Sequence, residues 1–439
     1  MEHACRETES DIRQTEIQGG TQMSGKQIQL IFAGLLGFLV LVAFPAPSRV
    51  GVAEVAIALV AAGMSIHFFF LRQRFASLSR TGRWIGYSLV LYTTAWLISA
   101  VIGVINGVDT MGIIRSLLPQ IIFVPVALLG LSLSNDEDAR QAGKILIWIG
   151  ALHGIYLLGL GVLAYTGAQA AADLTLTRIT LIDPRTTMPQ FLMLAPFGLA
   201  ALAEGKLRRK LFGASAVLLC VAGALSTQTR AQLLAVFIAV LFFAFFFVLA
   251  NPKPKVLLAA GVIAVLGIAT VAILPPTRNL AMAVLTRQAE VGDNARIQDE
   301  WLPALDQWES RGTADVLFGI GLGVSIKDFS GEEKTYVHNQ SIYTLVYTGV
   351  IGLVMITWMY FTAFVSLLVR YFRERSVIDL AAATGILTLW IYAQLFAVHK
   401  LFSFNLILFV LVAIALRKPA LTREPVAVPV ATKGTTQPS

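Results

Sequence analysis

The chain has 439 residues, of which 56% are hydrophobic and 14% charged, and its mean hydropathy is +0.73. An ordinary soluble globular protein is excluded, because such proteins carry charge on about a quarter of their residues. The formal net charge of +8 requires no nucleic-acid partner, since most of it lies in loops that would face the anionic inner leaflet of a membrane.

The first residues, 1–27, are polar and of mixed charge, unlike a signal peptide, whose apolar core follows a basic start. Beyond them lie about twelve apolar runs. Most are close in length to the roughly 17 to 25 residues that a helix needs to cross hydrocarbon. Such runs are too long for barrel strands, so the sequence predicts an all-α polytopic membrane protein with about twelve transmembrane helices. The predicted spans are 28–45, 50–71, 84–105, 113–133, 144–166, 188–203, 211–226, 231–250, 256–274, 340–369, 378–398 and 401–416.

One long polar segment divides these runs. The predicted segments are a cytoplasmic tail (1–27), transmembrane helices 1–9 (28–274), an outward-facing loop with an amphipathic helix (275–339), transmembrane helices 10–12 (340–416) and a disordered cytoplasmic tail (417–439). The long loop holds most of the polar residues that could form a site on the outward side.

The basic residues set the orientation, because cytoplasmic loops are enriched in Lys and Arg. Placing both termini in the cytoplasm puts three basic clusters inside, at 72–83, 206–210 and 370–375. The short outward loops then hold fewer basic residues, which are Arg49, Arg115, Arg178, Arg185, Arg230 and Lys400.

Within the long loop, Ile297, Trp301, Leu305 and Trp308 recur at helical spacing and define one apolar face. Two tryptophans on such a face suit a helix lying in the lipid headgroup layer, because indole prefers that interface. A helix packed over the mouth of the bundle requires the same pattern, so both interpretations stand. Pro303 predicts a kink or a restart of the helix.

Four outward arginines are candidate anion-binding residues. Arg230 lies between two apolar runs with no acid near it in sequence, so its guanidinium either reaches lipid phosphate or binds a substrate phosphate. Arg178 and Arg185 have Asp183 nearby, so a structural ion pair is at least as well supported for either. Arg296 has Glu300 four residues on, which predicts a helical ion pair between the two. Together the four would place several planar phosphate binders on one side of the membrane.

A His-Asn pair, His338 and Asn339, closes the loop immediately before the apolar run 340–369. Position alone favours an interfacial hydrogen-bonding role for His338. An imidazole there would nevertheless meet both water and a lipid-borne substrate, and it titrates near neutral pH.

Two other chemistries are not supported by the sequence. The segment from Gly319 to Gly323 looks like a nucleotide-binding loop but has no following Lys, so we predict a flexible turn. No His/Cys cluster and no pair of acids spaced to hold a metal is visible, which predicts metal-independent chemistry.

Three ordered segments, spread over about a third of the chain, resemble the O-antigen ligase and polymerase superfamily of bacterial envelope enzymes. Residues 225–231, Leu-Ser-Thr-Gln-Thr-Arg-Ala, are similar to its Thr-x-Ser/Thr-Arg turn between two helices. Residues 296–301 resemble its Arg-x-x-x-Trp segment with one residue added, and 319–323 its Gly-x-Gly-x-Gly. Residues 338–343 and 347–352 resemble its His-Asn-x-x-Leu and Gly-hydrophobic-Ile-Gly pair, with Tyr in place of Leu.

The resemblance implies a metal-independent, inverting glycosyltransferase of a bacterial inner membrane, without a cofactor, whose active site faces the periplasm. Its ligase branch, which the Thr-Gln-Thr-Arg-Ala turn favours, would transfer a glycan from undecaprenyl pyrophosphate to a sugar hydroxyl of the lipid A–core. His338 would be the general base and Arg230 the second catalytic residue. Arg178, Arg185 and Arg296 would bind the pyrophosphate.

Around this centre, Asn339 would orient the imidazole or the acceptor, and a helix with Trp301 and Trp308 would gate the access of lipid. An O-antigen polymerase or a protein O-oligosaccharyltransferase of the same superfamily would use a similar donor with another acceptor. The non-enzymatic alternative is a transporter of polyprenyl-linked glycans, for which Glu54 and the proline-containing fourth span are the main support.

Overall fold

The computed structural model describes residues 80–129, 136–170, 188–204, 206–227, 229–252 and 296–417, together with Gly34. The helices before the long loop are α1 Arg80–Ile105, α2 Thr110–Ile121, α3 Val124–Leu129, α4 Asp136–Ala170, α5 Leu194–Glu204, α6 Leu207–Thr227 and α7 Arg230–Ala250. Those within and after it are α8 Leu302–Glu309, α9 Thr313–Phe318, α10 Gln340–Glu374, α11 Val377–Leu395 and α12 Phe402–Leu416.

Short irregular elements connect these helices. Turns of 3₁₀-helix at Gln190–Met193 and Ala397–Lys400 precede α5 and α12, and a π-helical turn at Ile297–Trp301 precedes α8. An antiparallel hairpin of β1 Ile326–Lys327 and β2 Glu333–Lys334 follows α9.

Seven described segments are long and apolar enough to cross a membrane, and two shorter apolar helices accompany them. The seven are Gly82–Ile105, Thr110–Leu128, Asp136–Leu163, Leu207–Thr227, Ala231–Ala250, Gln340–Glu374 and Val377–Leu395, and the two are Gln190–Glu204 and Phe402–Leu416. The predicted spans 28–45, 50–71 and 256–274 lie outside the described residues. An all-α polytopic membrane protein is confirmed for the described part, whereas the total of twelve spans stays a prediction.

The predicted span at 340–369 contains a sharp reversal, because α10 consists of two limbs joined at Gly349. Gly349 has φ 68° and ψ −176°, outside the helical region. Gln340 Nε2 donates to Tyr360 Oη over 2.8 Å, although a straight helix would separate residues so far apart by about 30 Å. The first limb, residues 340–348, therefore folds back along the second limb, residues 350–374.

The predicted flexible turn at Gly319, Gly321 and Gly323 is instead tightly packed. All three glycines have φ between 82° and 88°, a conformation that side chains with a Cβ rarely adopt. A Cβ on Gly319 would strike the backbone of α10, and one on Gly321 the backbone of α1. Ile320 and Leu322 between them are buried, and each amide donates over 2.9 Å to a backbone carbonyl, that of Ile320 to α10 and that of Leu322 to α1.

Residues 296–339 lie over one end of the bundle, which we call the covered end. Residues 319–323, which we call the glycine segment, contact α1 and α10 there. Asn106 Nδ2 in the turn after α1 donates to Ile320 O over 2.8 Å. At the other edge of the segment, Arg296 Nη1 donates to Leu395 O at the last residue of α11, over 2.7 Å. The segment is thus fixed to three transmembrane helices.

The hairpin in this covering segment is organised by Asp328. Its carboxylate accepts from Lys334 Nζ over 2.6 Å, from Ser330 Oγ over 2.6 Å and from the Glu332 amide over 3.0 Å. The hydrogen bond with Lys334, reinforced by that with Ser330, lowers the pKa of Asp328 to about 2. The charge of Lys334 is therefore matched within the hairpin.

A cluster of buried charges lies at the opposite end, where α11 begins and α12 ends. Arg417 follows α12 and is 1% exposed. Its guanidinium pairs with Asp136 over 2.7 Å and bonds both carboxylate oxygens of the fully buried Asp379. Arg370 donates to two backbone carbonyls of α12 and lies 3.8 Å from Asp379. Every buried charge in this cluster has a partner.

Candidate active site

The π-helical turn at the start of the covering segment presents Glu300 to His338. Glu300 is 8% exposed. Its Oε2 lies 2.9 Å from His338 Nδ1 and its Oε1 lies 3.0 Å from the same nitrogen. Oε1 also accepts the backbone amide of His338 over 2.7 Å. One carboxylate thus holds both the main chain and the ring of this histidine.

This contact determines which ring nitrogen of His338 can accept a proton. A carboxylate accepts hydrogen bonds only, so Nδ1 carries the proton and Nε2 keeps its lone pair in the neutral ring. The His338 side chain is 26% exposed, so the ring is not sealed off from a substrate. An imidazole held by a carboxylate at one nitrogen, with no hydrogen-bond partner at the other among the described residues, has the arrangement of a general base.

Two aromatic rings flank His338. Its ring centroid lies 5.2 Å from that of Tyr336 and 5.8 Å from that of Phe396, both edge-on. Phe396 follows α11 directly, and Tyr336 belongs to the covering segment. The imidazole therefore points into the protein between these rings.

Arg296 is placed beside this cluster, but its predicted ion pair with Glu300 is wrong. Its guanidinium carbon lies 5.6 Å from the centroid of Phe396, and Nη1 donates to the Leu395 carbonyl. The four-residue rule assumes α-helical geometry, whereas the π-helical turn at 297–301 changes the register, and Glu300 is committed to His338. Arg296 has no acidic partner among the described residues.

The beginning of α7 reaches the same aromatic cluster. Gln232 Nε2 donates to Tyr392 Oη over 3.0 Å, and the Tyr392 ring stacks on Phe396 at 6.0 Å. Arg230 is the first residue of α7, two positions before Gln232. The structure thus brings the backbone at Arg230 close to the surroundings of His338.

Three of the predicted phosphate-binding side chains are not described. They are those of Arg230, Arg178 and Arg185, the last two with their backbone as well. Their predicted roles therefore stay predictions, and only Arg296 can be placed by its contacts.

Residues 215–357 match the O-antigen ligase family. This match supports membership of the O-antigen ligase and polymerase superfamily. It spans Arg230, Arg296, Glu300 and His338, and nearly coincides with the part of the chain that carries the three motifs, so the predicted resemblance is confirmed. No curated protein matches the chain. The family and the apolar helices together indicate a membrane protein with a general enzymatic role of the ligase and polymerase type.

Asn339 has a structural contact that explains its place in the motif. Its Oδ1 accepts the Ile342 amide over 2.9 Å, so Asn339 caps the first limb of α10. The cap fixes the start of the helix directly after His338. No contact with the imidazole is present among the described bonds of Asn339, and its predicted role in orienting the imidazole or the acceptor stays a prediction.

The tryptophans predicted to gate lipid access, Trp301 and Trp308, both pack against the hydrophobic core. Trp308 Nε1 donates to Asp315 O over 2.9 Å. Helix α8 begins at Leu302 with Pro303 in its first turn, as the predicted restart requires. These contacts favour the helix packed over the bundle, and the gating role stays a prediction.

Glu300 was missed as a site residue by the sequence analysis. A weak signal was present, because Glu300 lies three residues after Ile297 and so borders the apolar stripe that is predicted to be buried. A carboxylate on a buried face requires a hydrogen-bonding or charged partner, and His338 supplies it.

Among the described residues, no group of three or more His, Cys, Asp or Glu side chains could hold a metal ion. The predicted metal independence concerns the reaction and stays a prediction.

Proposed function

We propose that the protein is an O-antigen ligase that transfers a glycan from undecaprenyl pyrophosphate to a sugar hydroxyl of the lipid A–core at the periplasmic face. The observation that carries the proposal is the Glu300–His338 pair, which lies within the matched region. Superfamily membership supports a lipid-linked glycan and a lipid acceptor in general terms. The contacts of His338 supply a chemical role for the histidine of the motif.

In the proposed reaction the acceptor hydroxyl attacks the anomeric carbon of the donor sugar. His338 Nε2 takes the hydroxyl proton as the new carbon–oxygen bond forms, because its lone pair is the free one. Glu300 stabilises the resulting imidazolium through Nδ1. The partly exposed ring then returns the proton to water.

The leaving group is the undecaprenyl pyrophosphate. The bond from the anomeric carbon to the phosphate oxygen breaks on the opposite face, its electron pair stays with that oxygen, and the configuration inverts. Arg296 and Arg230, with Arg185 and Arg178, would stabilise the charge that develops there. One such preorganised donor typically contributes a hundredfold or more in rate. The sugar–pyrophosphate bond itself supplies the free energy, so no nucleotide is required.

The test is a transfer assay with the full-length protein in proteoliposomes, in the presence of a chelator. The donor is a polyprenyl-pyrophosphate-linked glycan, and the acceptor is either lipid A–core or a second lipid-linked glycan. Transfer to lipid A–core is the expected result. Transfer only to the second glycan would identify a polymerase, and glycan flux across the vesicles without transfer would identify a transporter.

A further inference from the structure

Lys400 lies near His338 and has no role in the predicted site. It ends the 3₁₀ turn between α11 and α12. Its Nζ lies 3.1 Å from Thr335 O, 5.0 Å from the centroid of the Tyr336 ring and 5.9 Å from that of Tyr343. An ammonium has three N–H donors, and the described contacts use one of them for a hydrogen bond. Two donors are left for a ligand.

The position of Lys400 connects it with His338 through a shared ring. Tyr336 contacts both the ammonium and the imidazole, at 5.0 and 5.2 Å from its ring centroid. His399 lies beside Lys400 with its ring 4.5 Å from Tyr343, and neither of its ring nitrogens has a described partner. Burial, followed by the charges of Lys400 and His338, lowers the pKa of His399 well below its ordinary value.

Lys400 differs from Lys334 in how its charge is matched. Lys334 is bonded to Asp328 within the hairpin. Lys400 is partly buried, and no acidic side chain pairs with it in the described part of the chain. A cation taken out of water without an acid is costly unless a ligand supplies the negative charge. Within this site, Arg296 shows the same lack of an acid.

We propose that Lys400 binds a phosphate group of one of the two lipid-linked substrates. The inference rests on the proposed function and adds a binding residue to it. A compact ammonium beside the general base suits a phosphate oxygen, because charge-assisted hydrogen bonds are the stronger ones. The phosphate belongs either to the pyrophosphate of the donor or to a phosphorylated acceptor.

Binding of inorganic pyrophosphate to the detergent-purified full-length protein tests the inference without any transfer step. Lys400→Gln should weaken binding about tenfold to a hundredfold, whereas Lys400→Arg should stay near the wild type. Lys334→Gln is the matched control and should change the Kd less than about twofold, since the charge of Lys334 is already used by Asp328. Thermal unfolding verifies that each variant is folded. Unchanged binding by Lys400→Gln, or an equal loss in Lys334→Gln, would overturn the inference.

Steady-state kinetics then identify the source of the phosphate. A higher KM for the donor alone in Lys400→Gln would assign Lys400 to the pyrophosphate. An increase in the KM for the acceptor would assign Lys400 to the acceptor phosphate, provided that the increase is absent when the acceptor has been treated with phosphatase. Unchanged KM values for both substrates in an active Lys400→Gln variant would contradict the inference. An inactive wild-type protein that still shows the Lys400-dependent pyrophosphate binding would refute the proposed function alone.

Discussion

Two groups of cations, one near His338 at the covered end and one at the opposite end, hold positive charge in opposite ways. At the opposite end, Arg417 and Arg370 bond to Asp136, Asp379 and backbone carbonyls, so their charge is used within the fold. At the covered end, Arg296 and Lys400 contact only carbonyl oxygens and aromatic rings among the described residues. The nearby buried acid, Glu300, bonds to the imidazole of His338 instead.

This difference distinguishes residues that stabilise the fold from residues that are available to bind a ligand. A fully matched buried cluster holds helices together and leaves nothing for a ligand, and breaking it leaves an uncompensated charge. A cation without an acidic partner keeps its charge for an anion, and a partly buried one such as Lys400 reduces stability until an anion binds to it. We infer that the covered end is built to receive an anion and that the opposite end serves to close the fold.

The largest expected effect is on catalysis at the covered end. His338→Ala should lower kcat by about a hundredfold to ten-thousandfold, because it removes the proton acceptor. Its thermal unfolding should stay close to that of the wild type, since His338 is partly exposed. The measurement is initial transfer rate at saturating donor. Near-normal transfer by a folded His338→Ala protein would remove this residue from the mechanism.

At the opposite end the expected loss is one of stability. Asp379→Ala should lower the free energy of unfolding by about 3–5 kcal/mol, because it leaves Arg417 partly unmatched in a buried site. Glu137→Ala is the matched control, since its pair with Lys144 is exposed and worth about 1 kcal/mol or less. Denaturation in detergent measures both. A selective loss of transfer by correctly folded Asp379→Ala molecules would contradict the division between the ends.

The third effect concerns the positioning of His338. Glu300→Gln should lower kcat about a hundredfold, because an amide can donate to Nδ1 and favour the wrong tautomer. Asp299→Asn, the neighbouring exposed acid, should transfer normally. Glu300→Asp should recover part of the rate if its carboxylate reaches the ring. Equal losses of kcat in the variants of Glu300 and Asp299 would show that Glu300 only maintains the structure of the loop.

The long helices could be predicted from the sequence because apolar length alone decides whether a segment can cross lipid. Hydropathy does not show where a chain reverses its direction, however, so the apolar run from Gln340 onward is predicted as one span. The reversal at Gly349 depends on a glycine conformation and on the glycine segment packed against it. Motif order groups the start of α7 with His338, and in the structure both reach the cluster around Phe396.

The site was predicted less completely than the fold. Sequence spacing assigned Glu300 to Arg296 on α-helical geometry, and the π-helical turn gives it to His338. Lys400 could not be assigned, because its neighbours come from the covering segment and from α10, far away in sequence. Contacts between distant segments leave no local spacing signal.

The smallest expected effect is a pH dependence of anion binding. Burial lowers the pKa of Lys400 to about 8. The protonated cation therefore prevails below this value, and its fraction falls about tenfold for each pH unit above it. The affinity for pyrophosphate should accordingly decrease as the pH rises through about 8 and be about tenfold weaker near pH 9, until the pKa of the bound state is reached.

Lys400→Arg isolates this effect, because a guanidinium stays charged over the whole range. The groups that face Lys400 are Tyr336 and Tyr343, His399 beside it and His338 beyond Tyr336, and all of them are retained in the variant. The ionisation of pyrophosphate is also common to both proteins, so the ratio of the two Kd values between pH 7 and about 9.5 reports on Lys400 alone. A ratio that stays constant with pH would show that Lys400 does not carry the bound anion, and the contrast between the two ends would then depend on the arginines.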